Sequence, residues 1–124
     1  MVALIAPHSP WHAGFGLASS TGIHYSTQSD EFEWDDAKAE ANLRKHKVRF
    51  EHAAESCEDP FALIELDDSQ DYGEDRFILI GQAAGGVLTV VYTERNGRFR
   101  IISAREANDY ERRDYHRAAQ EDRR

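Results

Sequence analysis

The dipeptide Asn96-Gly97 stands between two segments rich in β-branched and aromatic residues, Leu88 to Glu94 and Arg98 to Ser103. A two-residue type I′ turn needs positive φ at both central residues, and Asn-Gly is a pair that adopts it readily. The pattern therefore predicts an antiparallel hairpin whose register is fixed by the turn. In that register Arg95 faces Arg98, Thr93 faces Arg100, Tyr92 faces Ile101 and Leu88 faces Arg105.

Further strand patterns surround this hairpin. Alternation over Phe32-Glu-Trp34 predicts a short first strand, and apolar runs at 61–66 and 76–81 predict two more. An acidic loop at 67–75 separates these two runs. We therefore expect one meandering antiparallel sheet of three to four strands, in addition to the short N-terminal strand.

Three helices are predicted, two before the main sheet and one after it. Residues 36–47 carry acidic side chains in the first turn and basic ones in the last, as the helix dipole favours, and Asp35 is the N-cap. A second short helix runs from Phe50 to about Cys57 and ends before Pro60, because the residue before a proline avoids helical angles. Ser103-Ala-Arg-Glu106 matches a capping box and predicts the start of the last helix. The expected fold class is α+β.

The first part of the chain differs from the rest. Residues 1–29 contain no Asp, Glu, Lys or Arg and show no useful periodicity, so we expect a poorly ordered extension there and one domain over 30–124. The single cysteine, Cys57, excludes an intramolecular disulfide, which fits a reducing cytoplasm. No Lys or Arg precedes Lys38, so the apolar start lacks the basic region of a secretory signal. We expect a cytoplasmic protein with no membrane segment.

The net charge of −8 alone argues against a nucleic-acid-binding protein. Its distribution along the chain is uneven, however. Residues 30–75 hold 16 acidic and 5 basic side chains, whereas residues 76–124 hold 7 acidic and 10 basic ones. The total therefore conceals a basic part that contains most of the predicted sheet and the last helix.

Arginines are concentrated on or beside the strands of that basic part: Arg76, Arg95, Arg98, Arg100 and Arg105. Exposed like charges on neighbouring strands repel one another unless an anion meets them. Together with Tyr92, Thr93 and Tyr110, such a surface can hold an RNA phosphate and stack a base. The alternative is a solvated sheet face whose arginines pair with the abundant acidic residues.

Three other side chains are candidates for chemistry. His46 at a helix end is either a capping residue or a general acid or base. Lys38 is either solvated or placed to stabilise phosphorane charge. Glu74 either transfers a proton or orients Arg76, and we favour orientation. No cofactor or metal site is expected, since the sequence has no paired Cys motif, no His-x-x-x-His and no phosphate-binding glycine loop.

A series of short motifs over roughly residues 32–115 resembles the BrnT toxin family. The most specific are Val90-Val-Tyr-Thr-Glu-Arg95 and Arg100-Ile-Ile-Ser-Ala-Arg105, and the others include Phe32-Glu-Trp-Asp35, Lys45-His46, Asp59-Pro60 and Glu74-Asp-Arg76. The family usually has glycine after the Lys-His pair, where this chain has Lys47. Since glycine suits a left-handed helix cap, the first helix is expected to end differently or with backbone strain.

The resemblance implies a RelE-like fold and the toxin of a type II toxin–antitoxin system. Such a toxin is an endoribonuclease that arrests translation and is neutralised by a BrnA-like antitoxin with a ribbon-helix-helix part. The complex, rather than the toxin alone, would bind operator DNA and repress the operon.

Residue type and family position together suggest roles in metal-independent RNA cleavage. Arg76, Arg95 and Arg105 would stabilise the phosphate with help from Lys38, and His46 or Glu74 would transfer protons. The substrate contacts would be Tyr92, Thr93 and Arg100. The alternative is a non-catalytic interaction module whose arginine face binds an acidic segment of a partner.

Overall fold

The computed structural model describes residues 3–4, 31–68, 70–71 and 73–122. The predicted N-terminal extension, 1–29, lies outside these residues except at positions 3–4. In the described part of the chain, no helix has the length and apolar character needed to cross a membrane.

The protein has the predicted α+β architecture, with more strands than expected. In chain order the elements are β1 (Ala3–Leu4), β2 (Phe32–Glu33), α1 (Asp36–His46), α2 (Phe50–Cys57), β3 (Leu63–Asp67), β4 (Arg76–Ala83), β5 (Gly86–Arg95), β6 (Arg98–Glu106) and α3 (Asp109–Asp122). The described strands form one sheet in the order β1-β3-β4-β5-β6-β2. The four long strands are antiparallel as predicted, while β2 joins β6 in parallel.

The β5–β6 hairpin turns at Asn96-Gly97, where both residues have positive φ. The predicted pairs of Arg95 with Arg98, Thr93 with Arg100 and Tyr92 with Ile101 are confirmed. The predicted pair of Leu88 with Arg105 is wrong, because the register shifts between Val91 and Tyr92 and places Leu88 opposite Glu106. An extra residue in β6 at this point moves all later β6 residues by one position.

The main hydrophobic core lies between one face of the sheet and the first two helices. Its largest fully buried side chains include Trp34, Phe50 and Phe99, and the rings of Trp34 and Phe50 meet edge to face at 5.8 Å between centroids. Ser56 of α2 donates a hydrogen bond to the carbonyl of Gly81 in β4 at 3.0 Å. The absence of a side chain at Gly81 lets this helix approach the strand closely, since a Cβ there would lie 2.4 Å from the Ser56 carbonyl oxygen.

The outer edge of β6 is covered by the segment that precedes α1 and by α1 itself. The N–H of Phe99 donates to the carbonyl of Glu31 at 2.8 Å, and β2 pairs with Phe99 and Arg100. Further along the edge, the side-chain amide of buried Asn42 bonds to both main-chain polar groups of Ala104. Helix α1 is therefore fixed to β6 by hydrogen bonds as well as by apolar packing.

The end of α1 confirms the strain expected at the position of the missing glycine. Lys47 adopts the left-handed conformation with φ 62° and ψ 28°, and its N–H donates to the carbonyl of Leu43 at 3.0 Å. This is the helix-ending geometry for which glycine is normally selected.

Helix α3 packs on the opposite face of the sheet and begins later than predicted. Ser103 to Glu106 continue β6, so the predicted capping box there is wrong. The box is formed instead by Asn108 and Glu111: the Asn108 side chain accepts from the Glu111 N–H at 2.8 Å, and the Glu111 carboxylate accepts from the Asn108 N–H at 2.9 Å. Tyr115 packs with Ala107 on Leu63, Ile80 and Val87, so α3 covers one end of this face.

Candidate functional site

The sheet face that carries α3 has a row of polar side chains at its other end. Cross-strand pairing places Asp67 opposite Arg76 and places Arg100 opposite both Thr93 and Glu33. Thr93 follows Tyr92, the partner of Phe77, so Thr93 continues the row beside Arg76. Directly opposed residues on neighbouring strands point to the same side of a sheet. We refer to these residues, Asp67, Arg76, Thr93, Arg100 and Glu33, as the charged row.

Glu74 joins two arginines beside this row. One carboxylate oxygen lies 3.4 Å from Nε of Arg76 and the other lies 3.3 Å from a terminal nitrogen of Arg95. The side chains are accessible, with exposed fractions of 29% for Glu74, 26% for Arg76 and 46% for Arg95. Three of the predicted site residues are thus brought together at one open corner of the sheet.

Glu33 joins a second pair of arginines, which is more buried. Its carboxylate lies 3.5 Å from Nε of Arg98 and 3.3 Å from a terminal nitrogen of Arg100, and the side chains are 8%, 13% and 16% exposed for Glu33, Arg98 and Arg100. Arg98 also donates to the carbonyl of Phe32. These contacts fix β2 to β6, so Arg100, predicted to bind substrate, also has a structural partner.

Thr93 contributes to the site from below the surface. Its side chain is buried, and its hydroxyl donates to the carbonyl of Asp75 at 2.6 Å. This bond ties the residue after Glu74 to β5. Thr93 therefore helps to position the backbone next to Glu74. Its buried hydroxyl is already hydrogen-bonded to Asp75 in the free protein.

Arg105 lies further along the same face, against α3. Two of its nitrogens each lie 2.9 Å from a carboxylate oxygen of Glu111, and the hydroxyl of Thr89 also donates to Glu111. Partial burial alone would raise the pKa of Glu111, but hydrogen bonds from Arg105, the Asn108 N–H and Thr89 outweigh it and hold this pKa below its usual range. Arg105 is therefore in a two-bond ion pair, and it pairs with Thr89, four positions along β5 from Thr93.

Lys38 and His46 lie on α1, which packs against the other face of the sheet. Lys38 is exposed and His46 is partly buried. The Glu74-bridged arginines point to the opposite side, because neighbouring β4 and β5 residues, Phe77 and Tyr92, belong to the core beneath the helices. The structure does not bring Lys38 or His46 together with Glu74.

Tyr92 is a core residue and not a surface residue. It is 2% exposed, and its ring stacks on that of Phe99 with centroids 4.4 Å apart. Burial, with smaller effects of Cys57 and Glu94, raises the pKa of its hydroxyl above the usual value. The predicted base stacking by Tyr92 is therefore wrong for this structure, because a base cannot reach the ring. Tyr110, at the start of α3, is 67% exposed.

Two residues of the site were missed by the sequence analysis. Glu33 was treated only as part of a strand, although its alternation with Phe32 and Trp34 indicates that it faces away from the core. Glu111 stands three residues after Asn108, which is itself a capping signal. Neither pattern identifies an arginine partner, because both pairs depend on contacts between elements.

No group of three or more His, Cys, Asp or Glu side chains within the described ranges is arranged to hold a metal ion. Cys57 is buried in the main core, and burial raises the pKa of its thiol well above the usual value. This thiol is therefore not prepared to act as a nucleophile.

We refer to Glu74, Arg76 and Arg95 as the Glu74 corner, and its two partly exposed guanidinium groups determine what it can bind. A guanidinium is always protonated and binds the oxygens of a carboxylate or phosphate through directed N–H bonds. Two guanidinium groups that already share one carboxylate can share a phosphate in the same way, and a carboxylate beside them can accept a proton.

Comparison with known protein families gives a direct assignment. The family model described as the ribonuclease toxin BrnT of type II toxin-antitoxin systems matches residues 34–111, which is more than half of the chain. A search of curated proteins finds no match. The matched region begins at Trp34 and ends at Glu111, so it contains the Glu74 corner and the Arg105–Glu111 pair. The chain therefore belongs to the BrnT family of ribonuclease toxins.

Proposed function

We propose that this protein is an endoribonuclease that cleaves RNA without a metal ion at the corner formed by Glu74, Arg76 and Arg95. The observation that supports the proposal is the carboxylate of Glu74 held between two accessible guanidinium groups, at 3.4 and 3.3 Å. Two fixed cations can stabilise the negative charge of a pentavalent phosphorus, which is the charge that develops during RNA cleavage.

The proposed reaction uses the ribose 2′-hydroxyl as the nucleophile. Glu74 accepts the 2′-hydroxyl proton, a bond forms between this oxygen and phosphorus, and the bond from phosphorus to the 5′-oxygen breaks as that oxygen takes up a proton from water. Arg76 and Arg95 bind the phosphate oxygens throughout. The products are a 2′,3′-cyclic phosphate and a 5′-hydroxyl. We place His46 and Lys38 outside this centre, since α1 packs on the other face of the sheet.

Substrate binding would extend from this corner across the open face. Arg98 and Arg100 add positive charge beside the reacting phosphate, although Glu33 offsets part of it. Tyr110 is the described aromatic side chain with high exposure, and it precedes Glu111 on α3. We propose that Tyr110, rather than Tyr92, stacks on a base of the RNA.

The family assignment implies an antitoxin partner and an RNA substrate. We propose further that the antitoxin is BrnA-like with a ribbon-helix-helix part, that the toxin arrests translation in the cytoplasm, and that operator DNA is bound only by the complex. The described residues include no helix with the features of a separate DNA-recognition element beyond α1–α3, all of which pack on the sheet.

The direct test is incubation of the purified protein, freed of antitoxin, with total RNA in EDTA. Cleavage is expected, and Arg76→Ala is expected to lower the rate by at least 100-fold, on the order of the loss of one charge-stabilising group. The matched control is Arg44→Ala on α1, since Arg44 is also exposed and paired with a glutamate. Intact RNA at high protein concentration, or equal rates for Arg76→Ala and wild type, would contradict the proposal.

A second candidate function is supported by the carboxylates already on this face. Arg76 and Arg95 bind Glu74, and Arg98 and Arg100 bind Glu33, so the face accepts acidic side chains. A non-catalytic module would bind an acidic partner segment there without cutting RNA. The same incubation separates the two, because only the nuclease gives cyclic phosphate ends.

A further inference from the structure

We propose that Glu74 is an internal substitute for the RNA phosphate: in the free protein its carboxylate occupies the place between Arg76 and Arg95, and RNA binds by displacing it. This inference rests on the proposed nuclease function and adds a regulatory property to the same site. Glu74 would then compete with RNA for the two arginines as well as accept a proton.

The bridge consists of a hydrogen bond from Arg95 and an ion pair with Arg76 that lacks hydrogen-bond geometry. Each oxygen of Glu74 contacts a different arginine, Nε of Arg76 at 3.4 Å and a terminal nitrogen of Arg95 at 3.3 Å. A phosphodiester has two non-bridging oxygens and one negative charge, so it can form the same two contacts. A phosphodiester cannot form these contacts while Glu74 remains in place, because both anions would need the same N–H donors.

Exposure makes the exchange possible at this corner. All three side chains are open to solvent by at least 26%, although the Nε atom of Arg76 is itself buried. The Glu33 bridge has the same chemistry, but its carboxylate is 8% exposed and lies in a paired strand. Displacing Glu33 would leave buried guanidinium groups without their partner, which is costly. Of these two bridging carboxylates, Glu74 is therefore the exchangeable one.

The backbone around Glu74 supports a movement confined to the side chain. Glu74 precedes β4 and is outside the hydrogen-bonded ladder, while the next carbonyl, that of Asp75, is held by the hydroxyl of Thr93. On the other side, the N–H of Gly73 donates to the side chain of Asp71 at 3.0 Å. The Thr93 bond thus fixes the main chain on one side of Glu74, and rotation about the Glu74 side-chain bonds is enough to move its carboxylate away from the two arginines.

The displaced carboxylate remains next to the phosphate that replaces it. It no longer contacts the two cations, and it lies within side-chain reach of the ribose attached to that phosphate. The same displacement therefore places the RNA phosphate between the two arginines and makes the Glu74 carboxylate available to accept a proton. A small anion contacts fewer groups than an RNA chain does, so displacement of Glu74 is more favourable for a polyanionic substrate.

The test measures binding to a short, fluorescently labelled RNA with 2′-O-methyl groups at every position, which lacks the attacking hydroxyl and cannot be cleaved. Fluorescence anisotropy between 50 and 200 mM KCl compares wild type with Glu74→Gln. Removal of one competing anion is expected to tighten binding by about fivefold. The slope of log Kd against log salt is expected to change by less than about 0.7, the value of one phosphate contact on a single strand, because the same phosphates are bound by both proteins.

The matched control is Glu40→Gln, which makes the same charge change on exposed α1. Its affinity is expected to stay within twofold of wild type. A thermal unfolding curve checks folding, and Glu74→Ala serves as a second variant with the same expected direction. Unchanged or weaker binding by both Glu74 variants overturns the inference. Failure of the wild type to bind this RNA and to cleave ordinary RNA rejects the proposed function instead.

Discussion

The side chain of Asn42 pairs with the main chain of Ala104 as a neighbouring strand would. Its amide nitrogen donates to the Ala104 carbonyl at 2.8 Å, and its oxygen accepts from the Ala104 N–H at 3.1 Å. The same nitrogen donates to the carbonyl of Val48 at 3.0 Å. This one buried amide therefore hydrogen-bonds main-chain groups both in the loop after α1 and at the edge of the sheet.

Asn42→Asp is expected to lower the free energy of unfolding by about 2–4 kcal/mol, because it keeps the shape but removes both donated hydrogen bonds and buries a carboxylate. Urea unfolding followed by circular dichroism measures the change. Lys45→Ala, an exposed change on the same helix, is expected to have an effect within about 0.5 kcal/mol. Equal stability of wild type and Asn42→Asp would show that these bonds contribute little.

Lys47→Gly is expected to stabilise the protein by about 0.5–1 kcal/mol. Lys47 has φ 62°, where a side chain costs energy that glycine does not pay, and its own contact is an exposed bond from Nζ to the Arg44 carbonyl. Lys45→Gly, inside the helix, is expected to destabilise by about 1 kcal/mol. A shift of both variants in the same direction would contradict this account.

Gly81→Ala is expected to destabilise the protein by about 1–3 kcal/mol, because the new Cβ would meet the Ser56 carbonyl oxygen at 2.4 Å and force α2 away from β4. Gly85→Ala is the control, since a Cβ there has no neighbour within 4 Å. Its effect should be close to zero or slightly stabilising. Similar melting temperatures for the two variants would rule out close packing as the reason for Gly81.

The stability contributed by Glu111 should depend on pH. Its pKa in the folded protein is below the ordinary 4.5, so its contribution is present above pH 4.5 and is lost as the pH falls through the folded value. The difference in unfolding free energy between wild type and Glu111→Gln should therefore shrink as the pH is lowered from 7 to 3. A difference that grows on acidification would reverse the assigned direction.

Tyr110→Ala is expected to weaken binding of the 2′-O-methyl RNA by about fivefold to 100-fold, the usual range for loss of one stacked base. Stability should hardly change, because the ring is 67% exposed. Tyr110→Phe should retain the affinity, since stacking needs the ring and not the hydroxyl. Equal affinity of the Ala variant and wild type would exclude Tyr110 from RNA contact.

The parts of the fold that follow from local patterns could be predicted from the sequence. Asn96-Gly97 determined the hairpin and its register near the turn. The bulge beyond Ile101 could not be predicted, because Ile102 and Ser103 carry no marker such as a glycine. The capping box was misplaced for a similar reason: Ser103-x-x-Glu106 and Asn108-x-x-Glu111 have the same spacing, and only strand pairing shows where β6 ends.

The candidate site was predicted in part. Placing Arg95, Arg98 and Arg100 on one face required only alternation from the turn, whereas Arg105 reaches that face only because of the bulge in β6. The pairing of Glu74 with Arg76 required only proximity in sequence. The role given to Tyr92 conflicted with the same alternation, which puts it beside Leu88 and Val90 in the core. The Glu33 bridge depends on parallel pairing of β2 with β6 across 67 positions, which no local pattern indicates.

The covered edge of β6 limits where another strand can be added to the sheet. Glu31, β2 and Asn42 together occupy main-chain groups from Phe99 to Ala104 on that edge. A strand from another molecule would have to break these bonds before it could add there. Strand exchange and fibril-like stacking are therefore obstructed on the β6 side, and one side chain on a helix provides part of that protection.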